Sequence, residues 1–100
     1  MARNVSVTVN NVPIDLDYYV HEHVEHVVVG IVGALRDTGK IESLKLTIDS
    51  DGQVKIDLNN TDVPLKEFPM LIIRTTIEGM LKPCKGVEFP ITSVEITIDG

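Results

Sequence analysis

Val5, Val7 and Val9 alternate with Ser6 and Thr8, and a repeat of two marks a strand with one buried face. Pro13 closes that strand. Ile14 and Asp15 then open a helix: Asp15 can cap its free N–H groups, while Ile14 and Tyr19 take the N′ and N4 positions of a hydrophobic staple. Leu16, Val20, Val24, Val27, Ile31 and Leu35 follow at intervals of three and four, and Gly39 supplies a left-handed stop. The pattern predicts a helix over residues 16–38. Its many β-branched residues lower helix propensity, so the stretch from Val27 to Val32 needs tertiary packing to stay helical.

Leu44, Leu46 and Ile48 form a second alternating set, and Val54, Ile56 and Leu58 a third. Facing residues of an antiparallel pair share one side of the sheet, so Ile48 must oppose Val54, Leu46 must oppose Ile56 and Leu44 must oppose Leu58. That register leaves Ser50, Asp51 and Gly52 as a three-residue loop with Gly52 left-handed, and sets Lys45 against Asp57 on the outer side. A second helix is predicted from Phe68 or Pro69 to Lys82, with Met70, Ile73, Ile77, Met80 and Leu81 as its core stripe and Pro83 ending it. Val94, Ile96 and Ile98 make the last strand.

The element order is strand, helix, strand, strand, helix, strand. In a chain of this length it predicts an α+β fold of the ferredoxin-like βαββαβ type, a four-stranded antiparallel sheet of order 4-1-3-2 with two helices on one face. Residues 1–100 are expected to form one such domain. The uncovered sheet face should carry Ser6, Thr8, Lys45, Thr47, Lys55, Asp57, Glu95 and Thr97. It lacks the aromatic platforms on which single-stranded RNA stacks.

A net charge of −6 repels phosphate backbones, so nucleic acid is not an expected partner. The longest apolar run, Val27 to Leu35, falls far below the ~20 residues that span a bilayer, and the first ten residues lack the apolar core of a signal peptide. With Cys84 as the sole cysteine no internal disulfide can form, and a cytoplasmic location is expected.

The candidate chemistry lies in YVHEHVEH, residues 19–26, which hold all three histidines. The spacing fails the H-E-x-x-H pattern of zinc proteases, because Glu25 stands four after His21. On a helix His23 and His26 lie about 60° apart, whereas His21 falls roughly 160° from His23. The superfold sets the start of the first helix beside the end of the second, so His23, His26 and Cys84 form a conceivable site for zinc or nickel. The competing expectation is packing: antiparallel helices would seat His23 and His26 over Gly79, with Ile72 near Gly30 and Gly33. A third reading makes His23, at the edge of the core stripe, a titrating group. Lys82 and Lys85 flank Cys84 and could activate its thiol. Asp49, Ser50, Asp51 and Gly52 resemble the start of a calcium loop, but the glycine comes two places early and the stretch reads as a turn.

With no catalytic groups converging, the expected function is a small non-catalytic binding or regulatory module without a cofactor, able to pair with a protein partner or with itself. A metal-binding protein using His23, His26 and Cys84 is the alternative.

Overall fold

A computed structural model describes residues 4–35 and 41–99 of the chain. The elements run β1 (Asn4–Val9), β2 (Val12–Pro13), α1 (Tyr18–Leu35), β3 (Ser43–Ile48), β4 (Val54–Leu58), β5 (Thr61–Val63), α2 (Glu67–Leu81) and β6 (Val94–Asp99). All six strands join one antiparallel sheet of order β2-β1-β6-β3-β4-β5. The hairpin between β3 and β4 has the register expected from the alternation, with Ile48 facing Val54, Leu46 facing Ile56 and Lys45 facing Asp57. Gly52 is left-handed at φ +81, and the Asp49 carboxylate accepts the amides of Asp51 and Gln53 around the turn. On the open face the Lys45 ammonium lies 3.4 Å from Glu95 rather than on Asp57.

The class is α+β, but the ferredoxin-like order 4-1-3-2 is not the order found. The four longer strands lie 1-4-2-3, with the last strand inside the sheet. The reason is local. At Asn10–Asn11 and again at Asn59–Asn60 both residues adopt positive φ, between 51 and 65°. Such paired left-handed residues make the tight hairpin turn that twists with its strands, and asparagine tolerates the conformation. Each turn sends a short return strand, β2 or β5, along one edge of the strand before it. A strand has two edges. With β2 on β1 and β5 on β4, neither strand can sit between two of the longer ones, as strands 1 and 3 do in the expected order. Of the four longer strands only β3 and β6 keep a free edge, and they join the halves at the middle.

The two halves repeat one another. From β1 through α1, equivalent positions lie 49 residues apart: Asn10 and Asn59, Asn11 and Asn60, Leu16 and Leu65, Gly30 and Gly79. Across β3 and β6 the spacing is 50, and Ser-Leu-Lys-Leu-Thr-Ile-Asp from Ser43 matches Ser-Val-Glu-Ile-Thr-Ile-Asp from Ser93. Leu46 and Ile96 are equivalent and also face each other, so the twofold relation between halves passes between them. Each half gives its last strand to the other, since β6 pairs with β1 and β3 with β4.

The entry to each exchanged strand is held by the first asparagine of a turn. The Asn10 side-chain oxygen accepts the amides of Thr92 at 2.7 Å and Ser93 at 3.1 Å and the Thr92 hydroxyl at 2.8 Å. Its amide nitrogen donates to the carbonyls of Pro90 and Glu88. In the other half the Asn59 oxygen accepts the amides of Glu42 at 2.8 Å and Ser43 at 3.0 Å.

Both helices cover the same sheet face, burying Val24, Val28 and Val32 of α1 and Ile73, Ile77 and Leu81 of α2 against the strands. The α2 stripe is the expected one, with Met70 and Met80 half-buried at its margins. On α1 it is rotated: Val24, Val28 and Val32 are fully buried, whereas Val20, Val27, Ile31 and Leu35 are half-buried. Three consecutive valines, Val27 to Val29, make several stripes equally apolar, and docking on β1 selects among them. The cap is Asp17, not Asp15, and its carboxylate accepts the Val20 amide at 2.8 Å. The expected helix end at Thr38 and the Gly39 stop lie outside the described residues.

Candidate functional site

The helices stand apart. α1 rests on β1 and α2 on β4, three strand spacings away across the sheet. At 4.7–4.9 Å per spacing that is ~14 Å, against the 8–10 Å of packed helices. A β-carbon built on Gly30, Gly33 or Gly79 would meet nothing within 4 Å, and Ile72 remains half exposed. The expected packing of His23 and His26 over Gly79, with Ile72 filling a gap at Gly30, is therefore not found. What lies between the helix ends is a groove.

The groove holds about 930 Å³ and runs between the start of α1, the end of α2 and the β2 segment. Val12, Ile14, Leu16, Val20 and Met80 make its apolar walls; Asp17, Tyr19, His23, Cys84 and Lys85 supply polar groups. His23 is exposed, with its ring tilted 38° against Tyr19 at a centroid separation of 5.7 Å. Such aromatic pairs hold one another in place beyond simple burial. His23 thus stands in the open rather than at the edge of the core stripe, where the sequence had placed it.

The sequence placed His23, His26 and Cys84 together. The structure brings His23 and Cys84 to the one groove, while His26 is not among its lining residues and its Nδ1 lies 2.7 Å from the Glu22 carbonyl. The described residues that do gather ligand atoms within 4.8 Å of one another are His21, Glu22 and Glu25, at positions i, i+1 and i+4 of α1. His21 and Glu25 lie along the row that continues as Val28 and Val32 toward the sheet; Glu25 is buried and His21 half-buried. The histidine turned toward the sheet is thus His21, and His23 faces outward.

Cys84 follows the end of α2, with its thiol directed to the Met80 carbonyl at 3.8 Å. Burial pushes the thiol's pKa up, and the negative charge of Asp17 adds to the rise. Lys82 and Lys85 do not reverse this. Because burial favours the uncharged form, the group is a thiol rather than a thiolate at neutral pH, the opposite of an activated nucleophile. Alkylation with iodoacetamide should therefore rise only above the ordinary thiol range near pH ~8.5. Asp17→Asn, which keeps a good cap, should move that rate profile to lower pH. A wild-type midpoint below the ordinary range would contradict this assignment. By linkage, the protonated folded form is favoured, so this group's contribution to stability is lost as pH rises through its raised value.

The walls and rim of the groove were not readable as one site. Asp17, Tyr19, Met80 and Lys85 carry no motif, and they meet only because the helices are splayed over a six-stranded sheet. No known family, curated protein or solved structure matches the chain.

Proposed function

We propose that the protein is a small non-catalytic binding or regulatory module that takes a largely apolar ligand in the groove between the start of α1 and the end of α2. The groove itself carries this reading: a mostly apolar lining with a few polar groups is the usual build of a small-molecule site. The protonated Cys84 thiol supports binding over thiol chemistry. The lone cysteine suits a reducing compartment such as the cytoplasm. The open sheet face, with Lys45, Lys55, Asp57 and Glu95 among hydroxyls and no aromatic, supports a partner other than nucleic acid.

Titration of ¹⁵N-labelled protein with indole and with salicylate, an uncharged and an anionic aromatic probe, tests the site. The amides of Leu16, Val20, Gly79, Cys84 and Gly86 are expected to shift together, with those of β4 and β5 unmoved. Shifts confined to the open sheet face, or none at millimolar probe, would remove the proposal.

The second reading is metal binding, favoured by the meeting of His23 and Cys84 in one groove. Zinc or nickel should then perturb His23 and Cys84 together and leave His21 unchanged. Perturbation of His21 with Glu22 and Glu25 would place the metal on the other side of α1 and defeat the groove site.

A further inference from the structure

We infer that two copies of the chain associate through the solvent-facing side of their helix layers. From Tyr19 to Ala34 and from Phe68 to Gly79, the exposed helical positions contain no Asp, Glu, Lys or Arg, in a chain with 24% charged residues. The charged residues within these spans are Glu25, which is buried, and Glu22, Arg74 and Glu78, which are half-buried. In their place stand large apolar groups: Tyr19 is 71% exposed, Phe68 69%, Leu71 49% and Ile72 50%. A solvated helix face ordinarily carries charge. This one does not.

The glycines sharpen the point. Gly30 and Gly79 occupy equivalent outward positions in the two helices and touch nothing. A glycine inside a helix destabilises it relative to alanine, and nothing within one copy offsets that. Both leave a shallow place in a ridge where a side chain of another molecule can enter.

Charge and area select a second copy as the occupant. Each chain carries −6, so two copies repel over most of their surface and can close only where that charge is missing. A face whose fully exposed positions lack Asp, Glu, Lys and Arg and carry Tyr19, Phe68, Leu71 and Ile72 offers little to a charged partner, and its best match is a face of its own kind. The molecule is a slab with extents of 34 × 34 × 18 Å. Its broad side is on the order of 1,000 Å², above the ~800 Å² that each partner gives to a stable interface of standard size. The near-twofold repeat gives this side two similar ridges about a furrow, a shape suited to an isologous dimer. Tyr19, His23 and Gly79 also border the groove, so dimer formation alters its mouth.

Sedimentation equilibrium of the full chain from micromolar to millimolar concentration tests the inference. The expected result is a monomer–dimer equilibrium that Ile72→Glu weakens at least tenfold, while Thr47→Arg on the open sheet face leaves it unchanged. Gly79→Ala is expected to weaken the dimer while raising the melting temperature of the dilute monomer, a combination that separates lost contact from lost folding. Circular dichroism confirms that each variant is folded. A strict monomer at every concentration overturns the inference, as does a dimer broken by Thr47→Arg but not by Ile72→Glu. Flotation of a monomeric chain with phosphatidylcholine vesicles would overturn it in favour of a membrane surface. None of these failures bears on indole or salicylate binding in the groove.

Discussion

Replacing Asn10 with alanine is expected to destabilise the fold by about 3 kcal/mol, as two effects add. The first is loss of the clamp. One side chain accepts the Thr92 and Ser93 amides and the Thr92 hydroxyl, and donates to the Pro90 and Glu88 carbonyls. Net values near 1 kcal/mol per hydrogen bond do not sum fully for a single side chain, and a combined loss of about 2 kcal/mol is reasonable. The second effect is conformational. Asn10 holds φ +51, where a β-carbon without asparagine's local hydrogen bonding adds about 1 kcal/mol of strain. Urea unfolding of three variants separates the two. Asn10→Gly removes the strain and keeps only the clamp loss; Asn10→Asp retains the acceptor oxygens but loses both donations. Wild-type stability in Asn10→Gly would show that the clamp contributes nothing. Asn59→Ala should repeat the effect in the other half, where the Glu42 and Ser43 amides lose their acceptor.

Truncation at the middle of the sheet should cost more. Ile96 is fully buried, faces Val7 on one side and Leu46 on the other, and belongs to a strand paired along both edges. Ile96→Ala is expected to lose about 4 kcal/mol, and Leu46→Ala a similar amount, from lost transfer energy plus an unfilled cavity between rigid strands. Since a domain of this size has ~5–15 kcal/mol in all, either variant should show a greatly lowered urea midpoint. The double variant should lose less than the sum, because the two side chains share one cavity. Thr97→Ala on the open face of the same strand serves as the reference and should change stability by no more than about 0.5 kcal/mol. A loss below about 1 kcal/mol for Ile96→Ala would fit a last strand at the sheet's edge, as in the 4-1-3-2 order, and would contradict the central placement.

Those two experiments touch the features least visible in the chain. Alternation alone identifies the four longer strands, because each has one wet face, and it also sets the β3–β4 register, since a slip by one residue would turn Val54, Ile56 and Leu58 to water. Alternation says nothing about which strands are neighbours. That information sits in Asn10–Asn11 and Asn59–Asn60, whose return strands are two and three residues long and too short for any periodicity. Comparing the sequence with itself would have exposed the signal, because the asparagine pairs recur after 49 residues and Ser-x-x-x-Thr-Ile-Asp after 50. The candidate site was legible to the extent that the start of α1 and the end of α2 lie at the same end of the sheet, which brings His23 and Cys84 to one groove. Its shape was not, since it depends on the distance between helices, which the added strands set. The rotation of α1 had the same effect on the histidines: with valine at three successive positions, His21 and His23 could each have been the inward one until docking on β1 decided it.

The exchange of last strands also orders events in time. A chain emerging from the ribosome produces β1 with β2 and β3 with β4 and β5 well before β6. Until residues 94–99 arrive, those two sheet fragments expose the open edges of β1 and β3, each ready to accept any passing strand. Biosynthesis thus carries an aggregation hazard in the interval before β6 is made, and that one six-residue segment, in closing both edges at once, ends it.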